Sequence, residues 1–468
     1  LPPAPPAQSR SAIPPRVPPP TRYHAHMTTD RASRLYFDNA ATSFPKPDSV
    51  LEAMVAYQRR YGASPGRGAY REAREAGDVL TNCRERIREL INGESADHVV
   101  FALNTSDALN TAIKGLLRPA FSPGRTVHAV ITAMEHNSVL RPVKALADEF
   151  PGSVEYTRVE ADDDTGLVDP DRIRHAIRPD TKIVAVVHGS NVTGTLQPIA
   201  DVGAVCRDMA VPLLVDAAQT VGHMPVDVQA MNVDLLAFPG HKGLLGPLGT
   251  GALYVRPGLE RLMHTSREGG TGSVSEHDTH PHDMPDKFEA GSHNAIGIAG
   301  LLAGVEWLLD RGLDNVWRHE RALIEQFING VHQYTGGPPL SGLRLLGPPG
   351  VEHRCGVFSV VLDGLTPHEL AARLEDRFGV LTRPGLHCAP HVHRTFKTDP
   401  ESAAVEGRLP GATRFSTGPF LSVQDVKYAT DALATICEEA AEERGAAEKD
   451  SRGGQPGERR GRRRPTKG

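Results

Sequence analysis

The chain has 468 residues, a net charge of −5, 39% hydrophobic and 23% charged residues. Such a chain can bury a large core or divide into two domains, and nothing in its charge draws it to nucleic acid or an anionic membrane surface. No apolar run approaches the roughly 20 residues that a membrane-spanning helix needs. Five scattered cysteines, without a CxxC pair, argue against a disulfide framework and for a reducing, cytoplasmic setting.

The first stretch, "LPPAPPAQSRSAIPPRVPPP", is proline-rich and lacks the apolar centre of a secretion signal, so residues 1–33 are expected to be a disordered leader. From about residue 97, short apolar runs alternate with helical patterns. "HVVFAL" (98–103), "VHAVITAM" (127–134), "TKIVAVVHGSN" (181–191), "VPLLVDAAQ" (211–219), "VDLLAFPG" (233–240) and "TGALYV" (250–255) read as strands. Continuous apolar strands between helices predict an α/β fold with a mostly parallel sheet covered on both faces. "GSHNAIGIAGLLAGVEWLLDRG" opens a long helix, and "VFSVVLDGL" with "TPHELAARLEDRFGV" predicts a strand and helix of a smaller α+β unit. The expected division is a large domain over 34–300 and a small one over 301–440, with residues 34–60 available to either. The Gly/Arg-rich end is expected to form a disordered basic tail over 441–468.

Ligands of such folds gather where parallel strands end, so residues just after each strand carry the functional reading. After the 98–103 strand, Asn104 or Thr105 can cap a helix; helix N-termini can hold phosphate, but on these residues alone a plain capping motif is the expected reading. His136 follows the next strand. Asp216 ends an apolar strand, where a carboxylate needs a partner, and a protonated ring nitrogen would be one. Lys242 lies in the glycine-rich loop "FPGHKGLLGPLGTG", a place suited to Schiff-base chemistry as well as to a surface lysine. "RPGLHCAPHVH" (383–393) sets Cys388 among His387, His391 and His393, and leaves open a metal site, an activated thiol or chance composition. "SEHDTHPHD" (275–283) offers further metal-ligand types or a mobile loop.

Taken together, "YFDNAAT", "MEHNSVLRP", "HGSNVTGT", "VDAAQTVGH", "PGHKGLLGPLGTG", "EAGSHN", "RPGLHCAP" and "GATRFS" resemble the class V aminotransferase-fold enzymes, in the cysteine desulfurase and selenocysteine lyase branch. The likeness spans about residues 34 to 440. It implies the pyridoxal 5'-phosphate (PLP)-dependent transferase fold, aspartate aminotransferase-like fold type I. It also implies that Lys242 bonds the cofactor, Asp216 pairs with its ring nitrogen, Gln219 meets its phenolic oxygen and His136 stacks on the ring. Thr105, Ser106 and His241 would hold the phosphate. Ser292 would reach the neighbouring subunit's phosphate, implying a homodimer. Asn191 and Arg414 would hold the substrate carboxylate, with Arg383 assisting. Three positions depart from the family pattern: Pro239 replaces a phosphate-binding serine, "NTS" stands for "GTT", and Ser292 for threonine.

The implied reaction removes sulfur from L-cysteine. Lys242 would take the Cα proton, and Cys388, made thiolate with help from Arg383 or an imidazolium, would attack the substrate sulfur. The products would be L-alanine and a Cys388 persulfide, passed on to an acceptor protein such as an iron–sulfur scaffold. Selenocysteine lyase, an isopenicillin-epimerase-like or C–S lyase activity, and a non-catalytic scaffold or metal-binding protein are the alternatives, and no metal is expected in the first three.

Overall fold

The computed structural model describes residues 34–453 apart from 66–67, 119–125, 272, 274–275, 333–338 and 406. The expected leader and residues 454–468 lie outside the described residues. The strands are β1 Leu35–Tyr36, β2 Val99–Ala102, β3 Val127–Thr132, β4 Val154–Val159, β5 Thr181–Val187, β6 Leu213–Asp216, β7 Leu235–Pro239, β8 Gly251–Val255, β9 Leu343–Leu345, β10 Val357–Leu362, β11 Val380–Leu381, β12 Arg383–Gly385 and β13 Ala412–Ser416.

A seven-stranded sheet in the order β2-β8-β7-β6-β5-β3-β4 forms the centre. Every strand but β8 runs the same way, β8 being antiparallel to both neighbours. The inner strands are apolar along their length because helices cover both faces, so β3, β6, β7 and β8 are buried throughout. The edge strand β4, "VEYTRV", was not expected. Its outward residues are polar because one side lacks a partner strand, and its apolar signal is confined to Val154 and Val159.

A four-stranded sheet, β12-β13-β10-β9, and a short β1–β11 parallel pair make a second unit. The helix Pro367–Phe378 packs there, started by a capping box between Thr366 and Glu369 and ended by left-handed Gly379. Along the chain, core membership changes beyond Val316, inside the helix Leu313–Val331. Ile298, Leu301, Val305 and Leu308 of helix Ala295–Arg311 belong to the large core, whereas Leu323, Ile324 and Phe327 of helix Leu313–Val331 belong to the second. Residues 34–60 split likewise: Phe37 joins the second core, and Tyr57 of helix Asp48–Arg60 joins the first. The last helix, Val423–Gly453, runs past residue 441, where the expected tail was to begin. "EEAAEERGAAEKD" has the alanine, glutamate and lysine content that favours helix.

One arginine joins the two units. Arg354 is fully buried and donates to the carbonyls of Thr193 (2.6 Å), Leu346 (2.9 Å), Pro348 (3.0 Å) and Val357 (3.1 Å), with no carboxylate among its partners. Beside it, Cys355 N–H donates to Gly194 O, and Leu196 N–H to His353 O. Gly194 has φ +74°, and a Cβ there would lie 2.3 Å from Val357 O, so the loop after β5 can approach only as glycine. Arg354→Ala leaves several buried carbonyls unpaired and is expected to cost about 3–5 kcal/mol in urea unfolding. A loss below about 1 kcal/mol would mean that water replaces the guanidinium without penalty.

Candidate active site

Asp216 at the end of β6, His136 after β3, and Arg383 and Arg414 of the β12–β13 pair all interact electrostatically with Lys242. This lysine follows β7 and is held well below its ordinary pKa, down to about 8, first by burial and then by Arg414 and Arg383, with Asp216 and Asp38 opposing. Its ammonium makes no hydrogen bond or ion pair among the described residues. The backbone around it is fixed from the N-terminal segment: Ser43 N–H, Thr42 Oγ1 and Lys46 Nζ all donate to His241 O. Burial lowers Lys46 to about 8 as well.

Asp216 closes β6. Oδ1 accepts from Ala218 N–H at 3.0 Å, and burial raises the carboxyl above its usual range. Gln219 is buried and donates from Nε2 to Ala40 O at 3.0 Å. His136 caps the helix Asn137–Glu149, its Nδ1 accepting from Ser138 N–H at 3.1 Å, and burial with Lys242 nearby pulls it down to about 4, so it is neutral. Ser138, which sequence reasoning did not single out, also contacts His136 Nδ1 at 2.8 Å and Ser106 Oγ at 2.6 Å. Asn104 rather than Thr105 is the cap of helix Thr105–Leu117, leaving Thr105 buried and Ser106 exposed in its first turn.

Glu135, beside His136, was also missed. It is fully buried, with Oε1 accepting from Thr132 Oγ1 (2.6 Å) and Val187 N–H (3.0 Å), and burial pushes it up to about 8. A protonated Glu135 therefore ties the end of β3 to the end of β5. Only its neighbour's imidazole stood out in the sequence.

Across the site, Arg383 and Arg414 are directly opposed partners of the antiparallel β12–β13 pair, which sends both side chains to one face. Arg414 is 2% exposed; Nη2 pairs with Asp38 Oδ1 at 2.7 Å, Nη1 donates to Asn191 O at 3.0 Å, and Nε has no partner. Asn191 in turn donates from Nδ2 to His387 O at 2.7 Å, and Asn137 N–H donates to Cys388 O at 2.9 Å. The cysteine loop is thus tied on one side to the residue after His136 and on the other to Arg414. His387 and Cys388 take φ of +52° and +58°, uncommon for residues with a Cβ, and the thiol is exposed.

Burial holds the histidines around Cys388 below their usual range. His387 Nε2 meets Arg383 O at 2.9 Å and its ring stacks on His393 at 5.5 Å; burial holds His387 near 2 and His393 near 4. His391, also lowered by burial, is contacted by Arg158 Nη1 at 3.1 Å. Burial thus disfavours the expected imidazolium at all three histidines. Among the described residues no group of three or more His, Cys, Asp or Glu can hold a metal. Ser292 is exposed, and no hydrogen bond or ion pair ties it to the Lys242 cluster. Its segment is anchored by buried Glu289, which takes both guanidinium nitrogens of Arg84 at 2.6 Å.

The unpartnered groups define what fits between these walls. A buried carboxylate (Asp216), a lysine of lowered pKa, the partnerless Nδ1 of His241 and the first turn of helix Thr105–Leu117 suit a ring with a basic nitrogen, an aldehyde carbon and a phosphate. PLP has all three.

A parallel α/β sheet with an acid and a lysine at successive strand ends, faced by a second unit bearing an arginine, defines the class. The chain belongs to the aminotransferase class-V family, whose model matches residues 35–428. It is 38% identical over 360 residues to a probable cysteine desulfurase of Methanothermobacter thermautotrophicus, covering 76% of this chain and 84% of that one. It is 34% identical over 367 residues to a cysteine desulfurase of Haloferax volcanii, covering 78% and 83%. Among solved structures, the apo cysteine desulfurase of Thermococcus onnurineus matches with a TM-score of 0.77 and 31% identity, over 87% of this chain and 95% of that one.

Proposed function

We propose that this chain is a PLP-dependent cysteine desulfurase that converts L-cysteine to L-alanine and leaves the sulfur as a persulfide on Cys388. The observation that carries the reading is the double tether of the cysteine loop, which joins an exposed thiol to Asn137 beside His136 and, through Asn191, to Arg414. The relatives' names support it.

PLP, when bound, supplies an electron sink that acidifies the substrate Cα–H. Asp216 would hold a proton on the ring nitrogen, with Lys242 bonding the aldehyde carbon and His136 covering the ring as a neutral imidazole. Ser106, Thr105 and His241 would take the phosphate; Gln219 keeps a second amide N–H for the phenolic oxygen. Arg414, with Asn191 and Arg383, orients the substrate carboxylate. Lys242 Nζ removes the Cα proton and later returns a proton to the product. Cys388 Sγ attacks the substrate sulfur: the S–S bond forms, the Cβ–S bond breaks with its electron pair left on carbon, and protonation there completes alanine. A second copy of the chain presenting Ser292, a protein acceptor for the persulfide and a cytoplasmic setting complete the proposal. No helix of the described residues is long and apolar enough to cross a membrane.

Purified protein reconstituted with PLP and given L-cysteine with a reductant is expected to release alanine and sulfide in equal amounts. Pyruvate and ammonia in place of alanine would assign a C–S lyase. Alanine from selenocysteine alone would assign a selenocysteine lyase.

A further inference from the structure

The two opposed arginines raise an electrostatic problem that the mechanism leaves unused. Like charges directly across an antiparallel pair repel, and Lys242 adds a third cation that Arg383 and Arg414 both act upon. The Arg383 guanidinium has no hydrogen bond or ion pair among the described residues, and Arg414 is almost wholly buried. Asp216 closes β6, as the carboxylate suited to the ring nitrogen. The carboxylate on the arginine side belongs to Asp38, which leaves β1, reaches across to Arg414 Nη2 at 2.7 Å through Oδ1, and has no hydrogen bond at Oδ2 among the described residues.

We infer that Asp38 is a built-in counter-anion: it occupies one nitrogen of Arg414 and offsets one of the two cross-strand arginine charges, so that the pocket favours amino acids with one carboxylate over those with two. Asp38 acts through Arg414 and is a positioning and specificity residue. With Asp38 in place, Arg414 Nε and the Arg383 guanidinium remain for a single incoming carboxylate. Neutralising Asp38 leaves a surplus cation, which a second carboxylate on the ligand can satisfy. This inference rests on the cysteine desulfurase reading for its assay, and on the geometry of the arginine pair for its content.

The experiment uses the holoenzyme and competition against L-cysteine turnover by L-alanine and L-aspartate, two amino acids that differ by one carboxylate. In Asp38→Asn, the inhibition constant of aspartate relative to alanine is expected to fall about tenfold or more, since one unit charge at contact range outweighs the 1.4 kcal/mol that a tenfold change requires. Asp38→Glu should restore the wild-type ratio, and Asp38→Ser, a second neutral variant, should repeat the shift if the asparagine protein folds poorly. The cysteine effect should fall mainly on KM, with the bound-cofactor absorbance unchanged. An unchanged aspartate-to-alanine ratio in both neutral variants, or an equal weakening of both ligands, overturns the proposal. If wild-type holoenzyme makes no alanine from cysteine, the desulfurase reading fails first, and the same two ligands measured by displacement of cofactor absorbance still decide the role of Asp38.

Discussion

Lys242→Ala is expected to lose PLP on gel filtration and to release alanine from cysteine about 10⁴-fold more slowly than the parent, because one substitution removes both the covalent anchor and the base. The lysine's environment adds a second test. Burial and the two arginines hold Lys242 near 8 against its ordinary 10.5. The neutral amine alone can bond an aldehyde carbon, and a lowered pKa makes that form available at lower pH. The rate at which cofactor-free protein captures PLP should therefore climb about tenfold per pH unit up to about pH 8 and then level off. A plateau delayed to near pH 10.5 would mean an amine without this environment. Capture at wild-type rate by Lys242→Ala would place the anchor elsewhere.

The sheet was legible wherever burial on both faces made a strand apolar throughout, and β2, β3, β5, β6, β7 and β8 fall on the expected segments. β4 was not, because an edge strand with Glu155, Thr157 and Arg158 between its two buried valines has too few apolar residues to signal itself. The strand-end rule pointed to His136, Asp216 and Lys242, because each closes or closely follows an apolar strand. It could not locate their supports. Asp38 and Arg414 are 376 residues apart in sequence, and nothing local to "YFDNAAT" announces an ion pair with the far strand. Glu135 is silent for another reason: a protonated carboxylic acid inside the protein has the same letter as a surface glutamate. The three histidines around Cys388 mislead in the opposite direction. Their density suggests a metal or an imidazolium, whereas two of them are neutral packing groups, held by Arg383 O, Thr398 and each other.

Cys388→Ala should retain wild-type cofactor absorbance and fold, yet form persulfide sulfur from cysteine at least about 10²-fold more slowly, which is the low end for losing a nucleophile. Folding should be nearly unaffected. The left-handed φ of residue 388 strains any side chain with a Cβ equally, and the loop's tethers run through the carbonyls of His387 and Cys388 rather than through the thiol. Rescue by another cysteine is excluded on physical grounds. Cys83, Cys206, Cys355 and Cys437 are buried, and burial drives their thiols up, to about 12 for Cys206, Cys355 and Cys437, so none offers a thiolate near neutral pH. The comparison that decides is alanine release against protein-bound sulfur in the same sample. A variant that still makes bound persulfide at the wild-type rate removes Cys388 from the mechanism. A variant that makes neither product, with its cofactor in place, assigns the attack on the substrate sulfur to this one thiol, held by its backbone between Asn137 and Asn191.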